Sequence, residues 1–510
     1  MSAPQADLLH ADPDAAAIAY DLSATLFTSG HLFRAPLDRG HVAFNPDRRG
    51  FPIVVNEWAA SILEGFVGGN RIGRVLGSLP NSVALDEALD LVEYLEGSGF
   101  IRKEPTAPRY TADEFSIDSA RGLGIWVHIN NHCNLDCEYC FVDKFKSTMD
   151  PATVARTVDY IRSTVEKRNL KEVLVKFAGG EPTLSVGTME DFHSRLCEAL
   201  EPLQVRLHTG VLTNGTVLHA RLLEFLKRSK ATMAISLDGY GAETHDIFRV
   251  FTKSRKGSWD RILANIQVLK ASRIPISINA TISEQSCGSL PALVKWIAEN
   301  GFSTRLGVVR QPNGSWAHGG RDREYKRLTD AVSAAFDAAL SELENPQYEI
   351  DLRSGLAICE LHFENPVTTA CCGISTNHIV IQDDGRLASC PMTTREDPVD
   401  AGPDLLSAAR QTFRHRPEDR NTDEDKNCLD CHWFPVCTSG CPVTNLRIKG
   451  KAFTISPLHE FYNFVIPRYI KFFGRKLLQS ADKSGAEDFI VLDVDRRYVK
   501  YQHRYEEMLQ

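Results

Sequence analysis

Between Gly122 and about residue 310 the chain alternates two patterns. Short apolar runs, "GIWVHI", "EVLVKFAGGEP", "RLHTGVLTNG", "ATMAISLDG", "PISINATIS" and "TRLGVVR", read as strands. Between them "PATVARTVDYIRSTVEK", "MEDFHSRLCEALEPL", "HARLLEFLKRS", "WDRILANIQVLKAS" and "LPALVKWIAENG" place apolar residues three or four positions apart, as amphipathic helices do. Repeated strand–helix units predict a parallel sheet with helices outside. Right-handed crossovers close such a sheet, wholly or in part, into a barrel. The predicted fold is therefore α/β, a partial (β/α)6 barrel of the TIM kind. The strands end in polar residues: Glu181, Asn214, Ser236 with Asp238, and Asn279. In such sheets the carboxyl ends of the strands form the ligand site.

The first 110 residues follow a different rhythm. "GHVAFNP" and "FPIVVN" read as short strands about a turn. Ala59, Ile62, Leu63 and Phe66 then share a helical face, with Asn56 where an N-cap belongs. "NRIGRVLGSLP" predicts a second helix ended by Pro80, and Leu85, Leu89, Val92 and Leu95 mark a third. Two strands and three short helices predict a winged-helix-like unit over residues 1–110. "KEPTAPRYTADE" reads as a linker. The barrel is expected over 116–340. Beyond it the helical rhythm fades into a turn-rich, cysteine-rich region over 345–470. "LHEFYNFVIPRYIKFFGRKLLQ" reads as an apolar and basic helix, and 471–510 as a charged, peripheral tail.

Composition narrows the class. The 510 residues include 24% charged and 43% hydrophobic residues, ordinary globular usage. A net charge of −8 argues against nucleic acid as a partner. No apolar run is long enough for a membrane span, and the N-terminus lacks a signal pattern, so the expected compartment is the cytoplasm. In that reducing setting the 13 cysteines point to metal or catalysis before disulfides. Cys197, Cys287 and Cys359 stand alone and read as small buried hydrophobes.

Cys133, Cys137 and Cys140 are spaced C-x3-C-x2-C directly after the strand "GIWVHI". Structural zinc takes four protein ligands and closes its shell. A cubane iron–sulfur cluster has four irons, so three cysteines leave one iron open, a catalytic arrangement. With Tyr139 before the third cysteine, the motif resembles that of the radical S-adenosylmethionine (radical SAM) enzymes. The resemblance implies that Cys133, Cys137 and Cys140 hold a [4Fe–4S] cluster whose open iron binds SAM, and that reductive cleavage yields a 5′-deoxyadenosyl radical. "GGEP", Gly179 to Pro182, is similar to the family's second motif. It implies SAM contacts by Gly179, Gly180 and Glu181, with Glu181 toward the amino group. By the same resemblance Ser236 or Arg249 meets the methionine carboxylate and Asn279 the ribose. Tyr139 lies in the cofactor-binding loop, and Phe141 is placed either near the adenine or in the core.

"CLDCHWFPVCTSGC" supplies Cys428, Cys431, Cys437 and Cys441, and "CCGISTNHIVIQDDGRLASC" supplies Cys371 or Cys372 and then Cys390. Paired C-x2-C alone fits a zinc knuckle. With the upstream motif the region resembles the SPASM extension, which implies one or two auxiliary [4Fe–4S] clusters. Cys428, Cys431 and Cys437 would serve one, and Cys372, Cys390 and Cys441 the other. The family's last cysteine is missing. "SPLH" stands in its place: either His459 is a substitute ligand, or the cluster has an open site or is absent and His459 is a surface residue. For the second cluster Cys371 and His378 are further candidates.

The N-terminal unit is similar to the small precursor-recognition domains of peptide-modifying enzymes, such as the peptide chaperone of pyrroloquinoline quinone biosynthesis. Such domains take a leader peptide as an added strand. Together these resemblances imply a maturase that crosslinks a ribosomally synthesised precursor peptide, through a thioether or a carbon–carbon bond, with flavodoxin or ferredoxin as electron donor. The alternatives are a sulfatase-maturase-like dehydrogenase acting on Cys or Ser, a peptide epimerase, and a non-catalytic zinc module. Against the first, "CPMTT" after Cys390 lacks the acid that maturases of that kind carry.

Overall fold

The computed structural model describes residues 21–47, 50–105, 122–310, 321–363, 372, 374, 378–396, 398–414, 428, 430–485 and 488–494, with the side chains of 321–324 left aside. Most of the expected linker lies outside the described residues, as does Cys371.

Residues 21–105 form strands β1 (Thr25–Thr28), β2 (Phe33–Pro36), β3 (His41–Phe44), β4 (Ile53–Val55), β5 (Asn70–Arg71) and β6 (Ile101–Arg102), with helices α1 (Glu57–Gly65), α2 (Ile72–Leu76) and α3 (Leu85–Gly97). Asn56 caps α1 as its position predicts, its Oδ1 accepting from Ala59 N at 3.0 Å. Ile62, Leu63, Leu91, Leu95 and Phe100 close this unit's own core. The expected helix over 70–80 is shorter, because Asn70 and Arg71 pair with β1 instead. The sequence reading missed β1, β2, β5 and β6. Strands of two to four residues carry too little alternation to register.

The barrel strands are β7 (Gly122–Asn130), β8 (Glu172–Gly179), β9 (Arg206–Thr213), β10 (Thr232–Ser236), β11 (Ile276–Ile282) and β12 (Ser303–Val308). Between them run α4 (Pro151–Arg168), α5 (Val186–Leu200), α6 (Ala220–Ser229), α7 (Ala242–His245), α8 (Trp259–Ala271) and α9 (Leu290–Glu299). After α10 (Arg321–Leu343), β13 (Leu356–Ile358) extends the sheet beside β12, and β14 (His378–Ile381) with β15 (Leu387–Ala388) extends it beside β7. The order is β13-β12-β11-β10-β9-β8-β7-β14-β15, parallel except for β14 with β15. Among the described residues the two edges do not pair, so the barrel is open. Alternation assigns the faces. Leu123, Ile125, Val127 and Ile129 of β7 join the helix-covered core. Trp126, His128 and Asn130 belong to the opposite, inner face, as do Leu174 and Lys176 of β8.

The chain continues through α11 (Leu405–Thr412), α12 (Phe434–Cys437), α13 (Pro442–Lys449) and α14 (His459–Lys483). Helix α14 binds the parts together. Phe473 stacks on Phe51 of the N-terminal unit at 5.4 Å, and Phe461 meets Phe336 of α10 at 5.0 Å. Beyond it β16 (Val491–Leu492) pairs antiparallel with β4, Val491 opposite Val55. Here the expectation of a peripheral tail fails. Phe489, Ile490, Val491 and Leu492 are buried, with Ile490 and Val491 in the core of the N-terminal unit. Four apolar residues set in a charged stretch gave too weak a signal to stand out.

Burial of this strand leads to a direct test. Ile490→Ala removes buried apolar atoms and should cost about 2–4 kcal/mol, read as a lower urea midpoint. An unchanged midpoint would place the C-terminal strand outside the N-terminal core.

Candidate active site at the barrel mouth

The three-cysteine loop leaves the carboxyl end of β7 and is pressed against the end of β8. Gly180 N donates to Asn130 O and Glu181 N to His132 O, each at 2.9 Å. This approach needs glycines. A Cβ on Gly179 would lie 2.1 Å from Asn130 O, and one on Gly180 would lie 2.2 Å from His132 O. Gly179 also has φ +140°. The two glycines therefore set where the cysteine loop sits.

Within the loop, Cys133 Sγ accepts from Leu135 N at 3.4 Å and from Asn214 Nδ2 at 3.7 Å. Burial and the nearby Glu181 carboxylate push the Cys133 thiol up to about 12. Burial also raises Cys137, against the pull of Arg249, whose Nη1 is 4.0 Å from its sulfur. Buried thiols of this kind ionise when a metal takes the charge. Cys137, Cys140, Lys144, Phe248 and Arg255 line an open cleft of about 480 Å³ beside the loop.

The loop is tied down by Asp238, at the end of β10. This carboxylate is fully buried. Its Oδ2 accepts from Arg249 Nε at 2.6 Å and from the Tyr139 hydroxyl, and its Oδ1 from Thr281 N at 3.0 Å. The Arg249 guanidinium stands 5.5 Å from the centre of the Tyr139 ring. Burial draws Arg249 down, but Asp238, Tyr139 and Cys137 outweigh it and hold the charge firmly. Burial pushes the Tyr139 hydroxyl well up. His245 is also buried. Its Nδ1 accepts from Asp238 N at 3.3 Å and its Nε2 lies 3.1 Å from Ser258 Oγ.

Several expected residues sit where the strand ends place them, with different neighbours. Glu181 is fully buried, and its carboxylate accepts from Thr183 N, Thr183 Oγ1, Thr213 Oγ1 and Asn214 N. It braces the rim of the mouth from within. Arg249 is engaged by Asp238. Ser236, the last residue of β10, is the register partner of Asn279 in the middle of β11. Phe141 is 37% exposed, outside the core. Sequence reasoning set Asn214 and Asp238 among the polar strand ends of the ligand site and gave His245 no role. The polar strand ends were visible, but their partners were not.

The cysteine-rich region falls into two groups. The Cys390 thiol is pushed up by burial and by Cys441 and Cys372 beside it, and Cys441 in turn is acted on by Cys372. Burial raises Cys437 to about 12, with Cys428 and Cys431 adding to it. The resemblance to the SPASM extension implies the same two sets as cluster ligands. No three His, Cys, Asp or Glu side chains among the described residues converge on a point that would hold a single ion. A cluster spreads its ligands over several irons, so thiols in separate groups suit it. His459 is bonded at Nε2 to Asn463 Nδ2 at 3.0 Å, and the charges acting on it are Lys449 and Glu460. His378 lies at the base of β14 near Lys176 and Arg305. Of the isolated cysteines only Cys287 is buried, while Cys197 is exposed and Cys359 Sγ accepts from Arg305 Nε at 3.2 Å.

A parallel partial barrel with a three-thiol loop at its carboxyl mouth defines a radical SAM fold. Residues 127–284 match the family model of the radical SAM superfamily, so the chain carries a radical SAM domain. That family works with a [4Fe–4S] cluster and SAM, and three thiols on one loop are chemically suited to such a cluster. The chain is 23% identical over 328 residues to the cysteine-type anaerobic sulfatase-maturating enzyme of Clostridium novyi (strain NT), covering 61% of this chain and 85% of that one. It is 22% identical to the radical SAM cyclopropyl synthase TigE of Paramaledivibacter caminithermalis, over 43% of this chain and 47% of TigE. A solved structure, native anSMEcpe with bound AdoMet and Cp18Cys peptide, superposes with a TM-score of 0.54 at 17% identity, covering 69% of this chain and 99% of that one. That last likeness is one of fold.

Two outcomes follow for the site. Asp238→Asn leaves Arg249 buried without its counter-charge and should cost about 3–5 kcal/mol, with loss of cluster absorbance after anaerobic reconstitution; full stability and full absorbance would contradict the assigned anchor. The second concerns pH. Burial first, then Arg249, hold His245 down at about 4, opposed by Asp238, and His128 and His378 are held at a similar value. The unfolded chain therefore binds protons first as pH falls below about 6.5, so stability present at neutral pH is lost toward pH 4. Between pH 6.5 and 5 His245 alone should account for roughly 2 kcal/mol. Urea midpoints of the cluster-free protein should show that slope, and His245→Gln should reduce it, leaving the share of His128 and His378.

Proposed function

We propose that this chain is a radical SAM maturase of a ribosomally made precursor peptide, which installs a thioether or carbon–carbon crosslink. The observation that supports it best is the company of the three-thiol loop. Two further thiol groups and a small strand-and-helix unit are packed into the same molecule. When bound, the cluster and SAM supply a 5′-deoxyadenosyl radical, which takes one hydrogen from the substrate.

The chain's own residues position this chemistry. Cys133, Cys137 and Cys140 hold the cluster. Gly179 and Gly180 bring β8 against their loop. Asp238, Arg249 and Tyr139 fix the loop's far side, and Glu181 with Asn214 fixes the rim. Ser236 and Asn279, paired in register, would contact SAM. Cys428, Cys431 and Cys437 hold one auxiliary cluster, and Cys372, Cys390 and Cys441 hold another. Closing a crosslink removes a second hydrogen as a proton and an electron; an auxiliary cluster held by these thiols would supply an acceptor for that electron. The N-terminal unit presents sheet edges to which a leader segment can add as a strand.

A second reading has support of its own: oxidation of a Cys or Ser on a protein substrate, as the sulfatase-maturating relatives suggest. The acid such enzymes carry after the cysteine equivalent to Cys390 is absent, and Pro391, Met392 and Thr393 follow instead.

Co-expression with a precursor peptide encoded beside this chain, followed by mass spectrometry, separates the readings. A crosslink predicts loss of two hydrogens per modification, a consumed thiol or aromatic position, and no loss with Cys133→Ala. Two hydrogens lost with a carbonyl formed at one Cys or Ser would favour oxidation. Unchanged mass with deuterium taken up from heavy water would mean epimerisation.

A further inference from the structure

Below the mouth, the inner face of the sheet carries hydrogen-bond donors that lack acceptors. Trp126 and His128 project from β7 and Lys176 from β8, with Trp126 and Lys176 paired across the register. The Lys176 ammonium stands 5.8 Å from the centre of the Trp126 ring. His378 of β14 pairs with Gly124 on the other side of β7. Arg305 of β12 adds a guanidinium held at Nε by Cys359.

His128 is 1% exposed and neither ring nitrogen has a partner, and the buried Trp126 Nε1 and Gln382 Nε2 are likewise unmet. Among the described residues no carboxylate pairs with Lys176. The groups acting on it are Arg305 and Cys359. Buried donors and cations are normally matched, and an unmatched set is a cost the fold must carry. One neighbour is apolar: Leu174, on the same face, is 44% exposed. Lys176 lies three residues below Gly179, roughly 10 Å down the strand.

We propose that this inner face is an anchor for a carboxylate of the substrate, held by Lys176 with Arg305 and His378 and by the unmet donors of Trp126 and His128. The inference rests on the peptide reading above and extends it. A segment whose carboxylate is seated at Lys176 would place a residue about three positions away at the mouth, where the cluster loop stands. The carboxylate belongs to an Asp or Glu side chain or to a peptide's C-terminus. Both share the chemistry that a half-buried ammonium with flanking donors selects.

Calorimetric binding to the full, anaerobically reconstituted chain tests it. The probes are Ac-Gly-Asp-Gly-NH2, Ac-Gly-Asn-Gly-NH2, Ac-Gly-Gly-Gly with a free C-terminus, succinate, succinamide and SAM. A carboxylate probe should bind about tenfold more tightly than its amide. Lys176→Met, which removes an unpaired cation and should fold, is expected to erase that preference and leave SAM affinity unchanged. Preference for the Asp peptide assigns a side chain, and preference for the free C-terminus assigns a chain end. Succinate preferred over succinamide, with no peptide bound, keeps the anchor and removes the peptide reading. Equal binding of carboxylates and amides, a preference that survives Lys176→Met, SAM affinity lost together with it, or no binding by any probe would overturn the proposal.

Discussion

A carboxylate with no exposure to water must be neutralised where it stands, and Asp238 is such a group. Its partners come from four places. Arg249 follows α7, Tyr139 lies between two cysteines of the loop, Thr281 N belongs to β11, and His245 meets its backbone. Removing any of them leaves an unpaired charge or an unmet donor in the interior, so the set forms as a unit. Because Tyr139 sits between Cys137 and Cys140, the electrostatics of this one carboxylate fixes a loop that has almost no apolar core of its own. The glycines on the opposite side complete the clamp.

Around that clamp the molecule separates rigidity from reach. The outer face of the sheet is an ordinary apolar core of strand and helix residues. The inner face is polar, and its charges are mostly cationic. The N-terminal unit is not a loose appendage: α14 stacks against it and β16 lengthens its sheet. A segment bound at a strand edge of that unit and a segment entering the barrel would therefore be held by parts of one packed body. The thiols of the cysteine-rich region run from Cys372, just before β14, to Cys441, at the start of α13.

The alternation of strands and helices was plain in the sequence because buried parallel strands and amphipathic helices carry strong, opposite periods. The three cysteines and the glycine pair were equally plain, since their spacing is local. Partnerships were not. Arg249 reads as a free cation awaiting a carboxylate, and it has one eleven residues upstream. Glu181 reads as a ligand for an ammonium, and in the fold its carboxylate also accepts from two threonine hydroxyls and two backbone amides. Lys176 was not singled out in its strand, and only the register sets it beside Trp126. The terminal strand was hidden because two residues of pairing have no period. In each case the missing information is the neighbour across the fold, which local pattern does not contain.

The most direct test is reductive cleavage of SAM. The anaerobically reconstituted protein, reduced with dithionite and given SAM without any peptide, should form 5′-deoxyadenosine and methionine, and Cys140→Ala should form neither. Equal product from the variant, or none from the intact chain carrying its full iron and sulfide, would contradict the assignment of the three-thiol loop as the seat of the chemistry.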